Sequence, residues 1–141
     1  MRHVRQTRVS NCGQACAAMI AGRVVEEVER KMRTRGCTSK RQLNEVLEHY
    51  GFCLGATVVA RRQRWWLRSE TLLLFVKRTP EQHESDHWAV WDGEYSLVLD
   101  PSCSDAMRPA AYHDVYGWRV TAWAPVLKWA LALEPAGGRR A

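Results

Sequence analysis

Residues 82–92 read QHESDHWAVWD, and His83-Glu84-Ser85-Asp86-His87 inside them fits the H-E-x-x-H pattern. In that pattern two histidines on one helix face hold zinc and the glutamate serves as base. The same His87 heads an alternating run, HWAVW, and a strand histidine offers other chemistry, that of a base beside a nucleophile. A nucleophile lies upstream. Cys12 stands in SNCGQACAAMIAG at the point where a helix should begin, and helix N-termini suit a sulfur that must carry negative charge. Gly13 behind it should keep the backbone open to a substrate carbonyl. Taken alone, a free cysteine is most often a small buried hydrophobe. That is the expectation for Cys16, whose C-x-x-x-C spacing with Cys12 lacks the partners of a metal site.

These groups need elements to position them. Ser10 or Asn11 can cap a first helix of small residues that runs through Ile20 and stops at Gly22. Val24, Val25, Val28 and Met32 recur at helical spacing in a second helix that should end at Gly36. Ser39-x-x-Gln42 is a capping box for a third helix, with Leu43, Val46, Leu47 and Tyr50 on one face and Gly51 as its stop. The period then changes. FCLGATVVA, TLLLFVK and WRVTAWA read as strands, and HWAVW and YSLVL flank an Asp92-Gly93 turn. Helices first and strands second predict an α+β domain, N-terminal helices packed on a C-terminal antiparallel sheet. One domain over 1–130 and a flexible Pro/Gly-containing tail over 131–141 account for the whole chain.

The hairpin carries the geometric inference. With a two-residue turn at Asp92-Gly93, Trp91 pairs with Glu94 and His87 faces Val98. Asp100 then emerges on the face of His87, ~7–8 Å away between backbones and within reach of a hydrogen bond. A four-residue turn sets His87 directly opposite Asp100. Either way an imidazole oriented by a carboxylate is expected, and Cys12, His87 and Asp100 take the roles of thiolate, base and orienter. Gln6, six positions before Cys12, could add its side-chain amide to the Cys12 N–H as an oxyanion hole, although spacing alone favours a solvated residue.

With those residues in place, QTRVSNCGQACAAMIAG resembles the start of the bacteriocin-processing, double-glycine leader peptidases, a branch of the papain-like cysteine peptidases. That family opens with a Gln, five residues, then Cys-Gly-x-Ala-Cys and an apolar helix with a Met, matched here by Gln6, Cys12, Gly13, Ala15, Cys16 and Met19. HWAVW and LVLDPS resemble its His strand and Asp-Pro strand, with His87, Asp100 and Pro101 in register. The resemblance covers roughly residues 4–124 and departs in a short His-to-Asp hairpin and in the lack of an attached transporter. It implies a papain-like fold, catalysis by Cys12, His87, Asp100 and Gln6, a peptide or protein substrate and no cofactor. The same residues serve deamidation, isopeptide cleavage or acyl transfer equally well.

Two rival classes remain. A zinc peptidase through His83, Glu84 and His87 has a fair helix start at Thr79-Pro80, but the hairpin pattern after His87 denies it the second half of its helix, and Cys37, His49 and Cys53 lack a Cys-x-x-Cys pair. A binding module could use Arg61, Arg62, Arg64 and Arg68 around Trp65 and Trp66 to grip single-stranded nucleic acid. Charge runs usually solvate, so nucleic acid is disfavoured, and a wall for an extended peptide fits the enzyme reading better. Five cysteines without a CxxC pair argue for a reducing compartment and a free thiol, hence a cytoplasmic protein, and the family resemblance implies a bacterial or phage type. MRHVRQTRVS has no apolar segment behind it to make a signal peptide, and no run approaches the ~18 apolar residues of a membrane span. The +6 net charge admits several anionic partners without choosing one, and seven tryptophans call for an aromatic core or an aromatic groove.

Overall fold

LLLFVK and HWAVWD are apolar along most of their length, which suits strands covered on both faces. The structure, a computed structural model, describes residues 1–8, 10–59, 64–77 and 87–128. In chain order its elements are α1 (Cys12–Ala21), α2 (Val25–Met32), α3 (Lys40–His49), β1 (Phe52–Leu54), β2 (Val58–Val59), a 3₁₀ turn (Trp65–Leu67), β3 (Leu72–Lys77), β4 (His87–Asp92), β5 (Leu97–Leu99), α4 (Pro109–Tyr116) and β6 (Arg119–Lys128). The fold is mixed α+β, with four helices and an antiparallel sheet among the described residues. The sheet runs β1-β6-β3-β4-β5, and β2 also pairs with β6.

The three N-terminal helices cover one face, where Ala15, Met19, Val28, Leu43 and Leu47 meet Leu73, Trp88, Val90 and Leu99. On the other face Leu72, Leu74, Ala89, Trp91 and Val98 pack with Trp65, Tyr112, Trp118 and Trp123. Five of the tryptophans are thus core residues. Each buried side chain of this size is worth about 2 kcal/mol, so β3 and β4 are held from both sides.

Alanines at positions 15, 17, 18 and 21 make α1 a strong helix former, and a left-handed Gly22 ends it. Ser39 and Gln42 form the expected capping box of α3. The second helix is shorter than its periodicity predicts and ends at Met32, where left-handed Arg33 closes onto Glu29 O. The cause lies in α1. Buried Gln14 donates to Thr34 O at 3.1 Å and Gly36 O at 2.8 Å, which pulls the chain across the start of that helix. There Gly13 lies against Thr38, whose Oγ1 would be 2.0 Å from an added Cβ. Close packing is what position 13 requires.

The hairpin turn differs from the expected two-residue turn. Residues 93–96 form the loop, Trp91 pairs with Val98, and the second strand starts at Leu97 rather than Tyr95. Asp92 Oδ1 accepts the backbone N–H of Glu94 at 3.1 Å and of Tyr95 at 3.4 Å, which builds a wider turn that left-handed Ser96 completes. FCLGATVVA divides into β1 and β2: Gly55 N bonds Pro125 O in the β1 register, but Pro125 has no N–H to return, and pairing resumes with a shifted register at Val58 and Trp123. α4, unforeseen, begins with Pro109 and ends at left-handed Gly117. The tail at 131–141, with Gly137-Gly138, lies outside the described residues.

Gly93 does not use a positive φ; it is needed for close approach, since an added Cβ would sit 2.4 Å from Glu70 O and from the Ser69 carbonyl carbon. Backbone cannot yield as a side chain can. Gly93→Ala should therefore cost about 2 kcal/mol, read as a lower urea midpoint with unchanged slope. An unchanged midpoint would mean that this approach is looser than described.

Candidate active site

α1 packs on β4, which brings the first residue of the helix to the first residue of the strand. Cys12, half-buried, and His87 are those residues. His87 Nε2 lies 2.6 Å from Asp100 Oδ1, just past the end of β5, and 3.4 Å from Ser102 Oγ, while the Cys12 thiol is near enough to act on the imidazole. With Nε2 at the carboxylate, Nδ1 is the nitrogen left for sulfur. The wider turn therefore keeps His87 and Asp100 together, although through a different register from the one the two-residue turn implies.

The His87 side chain is 11% exposed and that of Asp100 is 0% exposed. Burial pulls the imidazole pKa down, but hydrogen bonds and charge from Asp100 and Cys12 outweigh it and carry the value up to about 9. For Asp100 burial pushes upward, while His87, Ser102 and Tyr112 hold the carboxyl below its ordinary value. Its charge is met on all sides. Ser102 donates to Oδ1 through N at 2.7 Å and Oγ at 2.6 Å, and Tyr112 donates from α4 to Oδ2 at 2.5 Å. The Trp118 ring stacks on His87 with centroids 4.6 Å apart at 19°.

The leading segment is tied to the same place. His3 Nε2 meets Asp100 O at 2.8 Å, and Gln6 N donates to Pro101 O at 2.9 Å. The Gln6 side-chain Nε2 donates to Arg8 O at 2.8 Å. Asn11, the N-cap of α1, spends its side chain on this segment, with Oδ1 accepting Arg8 N at 3.0 Å and Nδ2 donating to Thr7 Oγ1 at 2.8 Å. It makes no side-chain cap, so no Asn11 oxygen covers the N–H groups of the first helical turn.

Cys16 is fully buried one turn further along, and desolvation with nearby negative charge raises its pKa well above the usual thiol value. Of the zinc pattern, His83 and Glu84 lie outside the described residues, and His87 opens a strand with its Nε2 on Asp100. The helix that H-E-x-x-H needs does not reach its second histidine. Cys37, His49 and Cys53 form no metal-holding group among the described residues. Trp65 packs edge-on to Trp91 on the sheet face away from α1, and Arg68 pairs with Glu70 at 2.6 Å and lies over Trp123. Trp66 is exposed, while Arg61 and Arg62 lie outside the described residues. A cavity of about 880 Å³ lies between residues 1–7 and residues 18–26, away from the Cys12–His87 pair.

Sequence reasoning missed Ser102, Tyr112 and Trp118. Ser102 had a signal, since a serine two residues after an aspartate commonly closes a turn onto it. Tyr112 sits in the unforeseen helix, and no local pattern marks Trp118 as the partner of a ring more than thirty residues away. No protein-family model matches the sequence, and comparison with curated proteins finds no match.

Because the His87 pKa is raised on folding, its stabilising contribution is complete below its unfolded value near 6.5 and is lost as pH rises through about 9. Asp100, held low, contributes above its unfolded value of 3.8 and loses that contribution on acidification. The unfolding free energy should decline between pH 6.5 and 9, and Asp100→Asn should flatten that decline. A His87 proton resonance titrating near 6.5 in the wild type would contradict this electrostatic reading.

Proposed function

We propose that the chain is a cysteine peptidase of the papain-like, double-glycine leader type, soluble and working on a peptide or protein substrate. The observation that carries the reading is one imidazole bonded to a buried carboxylate and set beside a helix-terminal thiol that acts on it. In this reading Cys12 Sγ attacks the substrate carbonyl carbon, and the resulting oxyanion is held by the Cys12 N–H and the Gln6 amide. His87 gives its proton to the leaving amine, which departs and leaves a thioester on Cys12. Water then attacks that thioester while His87 takes its proton, and release of the acid restores the thiol. Asp100 stays ionised throughout and holds the ring in orientation. For Gln6 to serve, its amide must exchange Arg8 O for the oxyanion.

The test uses peptides that end an apolar helix with Gly-Gly followed by a short cargo. Cleavage after Gly-Gly is expected in the wild type and in the presence of chelator, is lost in Cys12→Ala, and is nearly unchanged in His83→Ala. Asp100→Asn should cut kcat by about a hundredfold or more with the fold intact. Gln6→Ala should cost about a hundredfold, expressed in kcat rather than KM. Activity that vanishes with chelation and with His83→Ala would restore the zinc reading. Failure to cut any Gly-Gly peptide, with Cys12 still reactive, would direct the same residues to deamidation, isopeptide cleavage or acyl transfer.

A further inference from the structure

A carboxylate that orients a histidine must itself be oriented, because rotation about its Cβ–Cγ bond changes which lone pair meets the ring. Asp100 is fully buried, so bulk solvent does not reach it to do this. Its two oxygens are instead claimed from different elements. Oδ1 takes His87 and both donors of Ser102, while Oδ2 takes the Tyr112 hydroxyl from α4. The two sets of donors pull on opposite ends of the carboxylate and fix its plane. Among the described side chains of α4 only Tyr112 is buried, and it is the one that holds Oδ2.

We propose that Tyr112 and Ser102 are positioning residues, a brace that turns Asp100 Oδ1 toward His87; Tyr112 acts on the thiol through two intermediates, and Ser102 Oγ also lies 3.4 Å from His87 Nε2. The proposal rests on the reading of Cys12 as nucleophile, and it goes beyond that reading by making α4 part of the catalytic apparatus. The alternative is that Tyr112 merely docks α4, its hydroxyl needing any acceptor once buried.

The two are separated by the second-order rate of Cys12 alkylation with iodoacetamide at pH 6.5, which requires no knowledge of the substrate. Tyr112→Phe keeps the ring and removes one donor; it should slow Cys12 by about tenfold, the factor expected for a lost hydrogen bond to a charged group. Asp100→Asn should slow it at least as much, and adding Tyr112→Phe to Asp100→Asn should change nothing further. A rate unaffected by Tyr112→Phe overturns the brace, as does an equal slowing in both backgrounds, which is the signature of a structural role. Should Tyr112→Phe not melt cooperatively, Ser102→Ala, at an exposed position, takes its place in the same cycle, where the same two results would overturn the brace. A wild type in which Cys12 reacts no faster than an ordinary exposed thiol removes the nucleophile and the brace with it; a fast Cys12 indifferent to these variants removes the brace alone.

Discussion

The hydrogen bond between His87 and Asp100 is the constraint around which this fold is organised. A carboxylate with no exposure to water is costly unless each lone pair is met, since an isolated buried charge costs several kcal/mol. Four donors from three parts of the chain meet it: the start of β4, the turn after β5, and α4. Satisfaction of this one group explains features that otherwise look unrelated. The backbone at Asp100–Pro101 also receives His3 and Gln6 N, so the segment leading to Cys12 is anchored on the residue that orients His87. Removing one donor would leave the others strained around an unmet charge.

The thiol reaches this centre by packing rather than by polar contact. α1 is buried along nearly its whole length, and its contacts with Trp88 and Val90 set the helix start against the strand start. Gly13 and Gln14 reinforce that register, one by admitting Thr38 and the other by holding Thr34 and Gly36 across the helix. Apolar packing fixes where Cys12 sits, and the polar network fixes what stands opposite it.

The sequence made part of this legible. α1, α3 with its capping box, β3 and β4 announce themselves by composition and period, and local rules suffice for them. His87 and Asp100 could be brought together because a hairpin is a local object whose two arms share a face. Its register was not legible, since Asp92 builds a four-residue loop with its side chain where the Asp-Gly pair suggested a two-residue turn. The end of α2 was missed because a side chain from α1 terminates it. α4 escaped because a single buried side chain among its described ones leaves no periodic stripe, and Tyr112 with it. The shared lesson is that non-local polar contacts leave little trace in a window of ten residues. The tryptophans behave oppositely: five serve the two cores, as bulk apolar side chains usually do.

Five free thiols in one chain supply an internal comparison. Cys12 and Cys53 are half-buried, Cys37 is exposed, and Cys16 and Cys103 are buried. Accessibility alone ranks Cys37 first, whereas a thiol paired with a protonated imidazole should overtake it below the range in which ordinary thiols ionise. The measurement is mass-spectrometric mapping of the five sites after limited iodoacetamide treatment at pH 6.5. Label on Cys12 ahead of Cys37, with that order lost in His87→Ala, is the predicted result. Label on Cys37 first, with Cys12 inert, would contradict the assignment of Cys12 as the nucleophile.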